Sequence, residues 1–328
     1  MSKSVMYFGI DVGASELWIS ASGKRPRIFA HTKAGIKALH GWSIKQSKGA
    51  TVHLCMEATG IYSRHVAIEL YHLSDVEISI VNPSRIKAFA NAQMRRCKTD
   101  AVDCNVIRCF AESQRPVVWN PEPVVMQQLR QLVTQADALK ATLMQWCNRR
   151  HAHRFTNNLS PAVIKSQRAM ERSIKRQLQN IEDAIEQLCY ENAELTEQIN
   201  LLETIPGIAR NAASRLLAYG GDWLTKRSPK ELVAHAGLAP HHHQSGTSVR
   251  GKSRIDKRGN RRLRKTLFMP TLTGIVWNPS LKRFYQNLLK KGKPKMVAIT
   301  ACMKKLLLII RAMMINNTPY KLNYGLDK

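Results

Sequence analysis

Apolar positions along the chain change their period more than once, and those changes outline its organisation. Over the first hundred residues, short runs of β-forming residues alternate with stretches of helical spacing. Residues 5–10 form an apolar run stopped by Asp11-Val12-Gly13. Residues 17–20 and 27–30 suit the next two strands, with Gly23 and Pro26 marking the turn between them. Residues 34–44 have helical spacing, 51–56 form a fourth strand, 61–73 a helix, and 77–81 a fifth strand closed by Asn82-Pro83. Periodicity by itself assigns this part to the α/β class.

From about Met126 the strand signals stop. Leu129, Leu132, Ala136, Leu139, Leu143 and Trp146 recur in steps of three and four. After a polar interval around Asn157-Asn158, a second series runs from Ile174 through Ile181, Leu188 and Leu195 to Leu202 with heptad spacing. That length predicts a coiled coil, with Asn192 on its seam, where one buried amide can set register and partner number. The bland alternative is a long helix packed on its own domain. Acid is concentrated here (Glu182, Asp183, Glu186, Glu191, Glu194, Glu197), so the segment suits protein–protein contact better than phosphate. A last helical region opens at Thr204-Ile205-Pro206-Gly207. Three domains are therefore expected: residues 1–120, 121–203 and 204–328.

Charge narrows the partner. The chain carries 51 Lys and Arg against 23 Asp and Glu, a net charge of +28 over 328 residues. Such a surplus points to a polyanion, most commonly nucleic acid, with double-stranded DNA as one such partner. Between His241 and Ile310 there are 17 Lys and Arg against Asp256 alone, which makes this the electrostatic footprint. The N-terminus lacks the apolar core of a signal peptide, and the most apolar stretch, residues 296–315, is interrupted by Lys304, Lys305 and Arg311. No membrane partner is expected. Seven scattered cysteines without a CxxC pair predict reduced thiols and a cytoplasmic protein.

Four carboxylates stand where metal chemistry would want them. Asp11 closes the first strand and Glu57 the fourth, and strand ends at a sheet rim can project into one cleft. Asp100 and Asp103 lie three apart in a helical segment and share a face. Hard carboxylate oxygens suit Mg²⁺, and two such ions can activate the attacking oxygen and stabilise the leaving one. The alternative is a turn residue at Asp11 and a helix cap with a first-turn acid at Asp100 and Asp103.

Gly9-Ile10-Asp11, Met56-Glu57-Ala58-Thr59-Gly60, Val81-Asn82-Pro83 and Lys98-Thr99-Asp100-Ala101-Val102-Asp103 resemble the DEDD transposases, a family that includes the Piv-type DNA invertases and the bridge-RNA-guided recombinases of insertion elements. The resemblance implies a RuvC-like N-terminal domain with the RNase H fold, and the order of strands and helices read above agrees with it. It also implies a Mg²⁺ site formed by Asp11, Glu57, Asp100 and Asp103. The expected fold class is thus an α/β RNase H-like (RuvC-like) N-terminal domain, a helical coiled-coil middle segment and a mainly α C-terminal domain.

In the last region, Gly237-Leu238-Ala239-Pro240 leads into His241-His242-His243-Gln244-Ser245-Gly246 and then a basic run. Chemistry alone reads this as a flexible Gly/Ser loop entering a basic helix, with Arg250, Lys252, Arg254, Lys257, Arg258, Arg261, Arg262, Arg264 and Lys265 available to phosphate. A serine in such a loop is ordinarily a surface hydrogen-bonding residue. Gly-Leu-x-Pro, Ser-Gly and Gly-Asn-x-x-Leu-Arg are similar to the C-terminal domain of the same family, which implies that Ser245 is the nucleophile forming a covalent link to DNA. Residues 205–209 followed by 212–219 resemble a helix-hairpin-helix; an ordinary interhelical turn is the alternative.

The function expected is a transposase or site-specific recombinase, a homo-oligomer (dimer or tetramer) joined through the coiled coil in a bacterial, nucleoid-associated setting. The acids would polarise the scissile phosphate and Ser245 would attack it. Some members of the family use a structured guide RNA, which the charge permits as readily as it permits duplex DNA alone. Two other functions fit parts of the pattern: a RuvC-like Holliday-junction nuclease that uses water and not Ser245, and a non-catalytic nucleic-acid-binding protein that leaves the paired acids unexplained.

Overall fold

A computed structural model describes residues 4–94, 99–241, 244–245, 249–250, 254–256 and 258–321, with only the backbone for the strand residues between 241 and 254. They fall into two compact units, Met1–Pro121 and Glu122–Lys328.

The first unit is built on a five-stranded sheet of order β3-β2-β1-β4-β5. β1 (Val5–Val12) pairs antiparallel with β2 (Glu16–Ala21), which pairs antiparallel with β3 (Arg27–Ala30). After α1 (Lys33–Ser47), β4 (Thr51–Glu57) returns parallel to β1; after α2 (Ile61–His72), β5 (Val76–Val81) lies parallel to β4. α3 (Pro83–Ala92) and α4 (Asp100–Gln114) complete the unit. Both central strands are apolar on both sides because both faces are covered. One face buries Phe8, Ile10, Leu54 and Met56 with Ile36 and Leu39 of α1 and Val66 and Leu70 of α2. The other buries Cys55 and Val81 with Ile86 of α3 and Val106, Ile107 and Phe110 of α4. Each such side chain, fully buried, contributes about 1.5–3 kcal/mol. Side-chain caps start three of the helices: Thr32 accepts from Gly35 N, Asn82 from Ser84 N, and Thr99 from Val102 N, so that the cap of α4 is Thr99 and not Asp100.

The second unit is helical: α5 (Val124–His153), α6 (Pro161–Glu191), α7 (Ala193–Glu203), α8 (Arg210–Gly220), α9 (Trp223–Lys226) and α10 (Pro229–His235) precede four two-residue strands. These are β6 (Pro240–His241), β7 (Gln244–Ser245), β8 (Val249–Arg250) and β9 (Arg254–Ile255). α11 (Arg261–Trp277), α12 (Pro279–Lys290) and α13 (Lys295–Asn316) follow. One core joins Leu129 and Val133 of α5, Ile199 and Leu202 of α7, Leu216 of α8, Leu263 and Leu267 of α11, and Leu306 and Ile310 of α13. Segments read separately from the sequence, 121–203 and 204–328, share this core. The apolar stretch at 296–315 lies within α13 and is amphipathic, as expected; among the described residues no helix is long and apolar enough to cross a membrane.

The heptad series needs correction. It does not form one continuous helix, because the chain leaves helical geometry at Asn192 (φ −122°, ψ 104°). The Asn192 side chain accepts from Leu195 N at 2.9 Å and so starts α7 as its N-cap. A short amide competes well for backbone donors at helix starts, which is why Asn favours caps over helix interiors. The apolar period runs through the break because Leu195, Ile199 and Leu202 still enter the unit's own core. Before the break, α6 lies against α5 of the same chain, so the seam is filled within the unit. A coiled coil between chains is not confirmed.

The turn at 205–209 also has a packing explanation. Gly207 has φ +104°, and a Cβ there would stand 2.8 Å from Gly274 N and 2.9 Å from Pro270 O. The glycine is what lets the turn touch the backbone of α11.

Replacing Asn192 by Leu separates the two readings of that position. As a lost N-cap it lowers stability by about 1 kcal/mol, whereas a leucine on a coiled-coil seam would raise it. Thermal unfolding of the full chain reports the sign.

Candidate active site

The acids are placed by the sheet and by one helix. The β1–β4 register ends at Ile10↔Met56, so Asp11 and Glu57 follow side by side at the C-terminal ends of adjacent parallel strands, about 4.8 Å apart at the backbone. Ile10 and Met56 are fully buried on the α1/α2 face, so alternation turns Asp11 and Glu57 to the α4 face. There α4 runs directly over Gly9. A Cβ on Gly9 would lie 2.1 Å from Cys104 O and 2.3 Å from Arg108 N. Nothing larger than glycine permits that approach, and the approach carries the first turn of α4, with Asp100 and Asp103, to the same end of the sheet. Thr99 caps this turn, and the helix N-terminus favours negative charge there.

The electrostatics reflects this proximity. Burial pushes the Asp11 carboxyl up to about 6, and the charges of Asp100, Asp103 and Glu57 push it in the same direction. Burial, with Asp11 and Asp103 nearby, likewise raises the Cys104 thiol to about 12. Asp11, with the three carboxylates whose charges act on it, offers hard oxygen donors of the kind a divalent cation takes. Among the described residues, however, no three His, Cys, Asp or Glu side chains lie close enough together to hold an ion as they stand.

In the second unit, Ser245 ends β7 and pairs with Val249 of β8, Gln244 pairing with Arg250. Where the sequence suggested a flexible loop, the backbone makes a hairpin; strands of two residues are too short to leave an alternating pattern. β6 and β9 pair separately through Pro240↔Ile255 and His241↔Arg254. The side chains of Ser245, Arg250 and Arg254 lie outside the described residues, as do Lys252 and Lys257 altogether.

Two family models match this chain. The DEDD transposase model covers residues 8–153, and the transposase model named for IS116, IS110 and IS902 covers residues 199–286. The pilin gene-inverting protein of Moraxella bovis is 32% identical over 98% of both chains, and that of Moraxella lacunata matches equally. An uncharacterised 42 kDa protein of insertion element IS900 from Mycobacterium paratuberculosis is 25% identical over 56% of this chain. The chain belongs to the IS110 family of DEDD transposases. Its activity is that of a DNA transposase or recombinase, and a DEDD domain suggests use of a divalent metal.

Several motif residues of this transposase are structural bolts. Gly259 has no room for a Cβ, which would lie 2.3 Å from His235 O and 2.4 Å from Gly237 N. Asn260 caps α11 by accepting from Arg262 N and Leu263 N, donates Nδ2–H to Tyr219 O at 3.1 Å, and gives its backbone N–H to His235 O. Arg264 turns inward and donates to Ala236 O at 3.1 Å. Together they tie the end of α10 to the start of α11, the two elements that flank the β6–β9 segment. Of the other cations expected to meet phosphate, Arg258 is paired with Asp256, and Arg262 donates to Thr134 Oγ1 and covers the Tyr219 ring. Arg261 and Lys265 are exposed.

Sequence reading missed a histidine pair bonded to the end of the β1–β2 turn at Gly13. His31 Nδ1–H donates to the Gly13 carbonyl at 2.8 Å, which leaves Nε2 to accept from His65 Nδ1–H at 3.2 Å. The partners come from the β3–α1 connection and from α2, and no sequence spacing announces a contact across 34 residues.

Two substitutions probe this end of the sheet. Asp11 is raised in the folded state, so its contribution to stability is full below pH 4 and lost as pH rises through 4 to 6. Asp11→Asn should therefore stabilise the metal-free protein at pH 7, by about 1 kcal/mol after solvent screening of this half-exposed group. The gain should vanish at pH 4. Gly9→Ala should instead destabilise at both pH values, by about 3 kcal/mol, through overpacking against α4. Thermal melts at the two pH values separate them.

Proposed function

We propose that this transposase cuts and rejoins DNA with Ser245 as nucleophile and with Mg²⁺ held by Asp11, Glu57, Asp100 and Asp103. The placement of four carboxylates toward one end of the sheet, where burial and then the other three charges raise Asp11, is the observation that carries the metal half of this reading. When bound, the ion would draw charge from the scissile phosphate and make its phosphorus more electrophilic. Ser245 Oγ attacks that phosphorus and gives up its proton, and the displaced deoxyribose oxygen leaves as a hydroxyl. The product is a phosphoserine-linked strand. The hydroxyl of a second strand then attacks the phosphoserine and restores the serine, so each step exchanges one phosphodiester for another and needs no external energy source. Pairing of the Ser245 backbone with Val249, on a segment whose flanking helices α10 and α11 are tied together, supports the role, since a nucleophile must be held in position.

DNA inversion is the outcome we favour, because the match to the two pilin gene-inverting proteins runs along nearly the whole of both chains. Duplex DNA is the substrate, and a structured guide RNA would account for target choice if one copurifies with the chain. The protein would act as an oligomer, since two duplexes must be held at once.

With native protein and a supercoiled substrate carrying the recombination sites, Mg²⁺ should yield covalent protein–DNA adducts. Ser245→Ala should abolish them, and Asp11→Asn should reduce them by about 10²–10³-fold, a loss on the scale of an electrostatic catalytic group. Cleavage that survives in Ser245→Ala but is lost in Asp11→Asn would replace this mechanism with a water-using nuclease.

A further inference from the structure

The α5–α6 hairpin is divided sharply by charge. Residues 149–176 hold eight Lys and Arg and a single acid, Glu171, whereas residues 177–203 hold seven Asp and Glu and no Lys or Arg. Glu171 is buried at the seam against Arg150, so it offsets little of this charge at the surface. Five of the cations lie on α6: Lys165, Arg168, Arg172, Lys175 and Arg176, all exposed. At 100° per residue they fall within an arc of about 100° and extend about 16 Å along the axis. The face that α6 buries, through Gln167, Glu171, Ile174 and Ile185, lies about 130° away. None of the five has a carboxylate partner among the described residues. Arg149 and Arg154 extend the charge onto α5 and its C-cap, and Phe155 stands 79% exposed beside them.

A straight, unpaired row of cations on a rigid helix is an expensive arrangement in isolation, because like charges three and four apart repel. A polyanion removes that cost. From these positions we infer that the distal half of the α5–α6 hairpin is a second DNA-binding surface, which lies along the phosphate backbone of duplex DNA and is separate from the basic segment at 250–265. Duplex DNA presents one charge per about 1.7 Å of axis, so about 16 Å of helix faces about five base pairs. A second copy of this chain fits less well. Glu182 is already paired with Lys140 and Glu203 with Arg210, and Asp183, Glu191 and Glu194 each accept from a glutamine, which leaves two of the seven acids, Glu186 and Glu197, to face five cations. The acidic proximal half has a complementary effect: it repels the duplex and confines it to the distal half. No base-reading group is implied, so the surface positions DNA and does not select sequence.

The inference requires only that the chain acts on DNA, and its test needs no catalysis. Full-length protein with Lys165, Arg168, Arg172, Lys175 and Arg176 all changed to Ala is compared with native protein for binding to a duplex in EDTA across a salt series. Each cation that neutralises a phosphate contributes about 0.9 to the slope of log K against log salt. That slope should therefore fall in magnitude by about 4, and affinity at moderate salt should drop at least about tenfold. Arg172→Ala alone should change the slope by about 1. Arg150 is retained because Glu171 needs it, and matched thermal melts show that the helix pair still folds. An unchanged slope on duplex DNA overturns the inference. So does a loss confined to structured RNA, or a change in oligomeric state with DNA binding intact. Because EDTA removes metal-dependent cutting from the measurement, the result stands whether or not Ser245 is the nucleophile.

Discussion

The contact between α4 and β1 at Gly9 is the constraint on which the acid site depends. A sheet and a helix ordinarily meet through two layers of side chains. Here one layer is missing, and the helix backbone rests on the strand. That brings the first turn of α4 within electrostatic reach of Asp11 and Glu57, which the β1–β4 register has already set side by side. The glycine does no chemistry and carries no charge, yet it determines whether four carboxylates form a group or two distant pairs. Burial first, and the charges of the other three acids after it, raise the Asp11 carboxyl.

The second unit uses the same device for a different purpose. Gly259 brings the backbone just before α11 against the end of α10, and Gly207 brings the turn before α8 against α11. Both contacts would be blocked by a single methyl group. With Asn260 and Arg264 they convert a basic, Gly-containing sequence into a fixed base for the β6–β9 region. Charge and rigidity are therefore supplied by different residues in this stretch. Arg264 and Asn260 lie in the motif for structural reasons, while exposed neighbours such as Arg261 and Lys265 remain available to phosphate.

Much of the fold was legible because local patterns and tertiary needs agreed. Five strands were visible as short β-forming runs and the helices between them as stretches of helical spacing, whereas α3 and the caps Thr32, Asn82 and Thr99 are seen only in the structure. Agreement broke down at Asn192. A period of three and four continued through it, and period alone does not distinguish a continuous helix from two helices sharing one core. Charge was misread for a related reason. Counted over the whole middle segment, the acids of 182–203 obscure the cations of 149–176, which only a helix places together on one face.

The sequence by itself determined the chemistry available: four acids at strand ends and a helix start, a serine in a Gly-containing turn, a large positive surplus, and membership of a transposase family. These follow from residue identity and near-neighbour spacing, which the chain carries without folding. Tertiary structure alone decided which of those residues meet. The side-by-side placement of Asp11 and Glu57 depends on a parallel register between strands some forty residues apart. The approach of Asp100 and Asp103 depends on a missing Cβ at Gly9, and the His31–His65 pair on two elements with no common pattern. Such contacts are set by packing at distances where a single methyl group matters, and no periodicity in the chain encodes them.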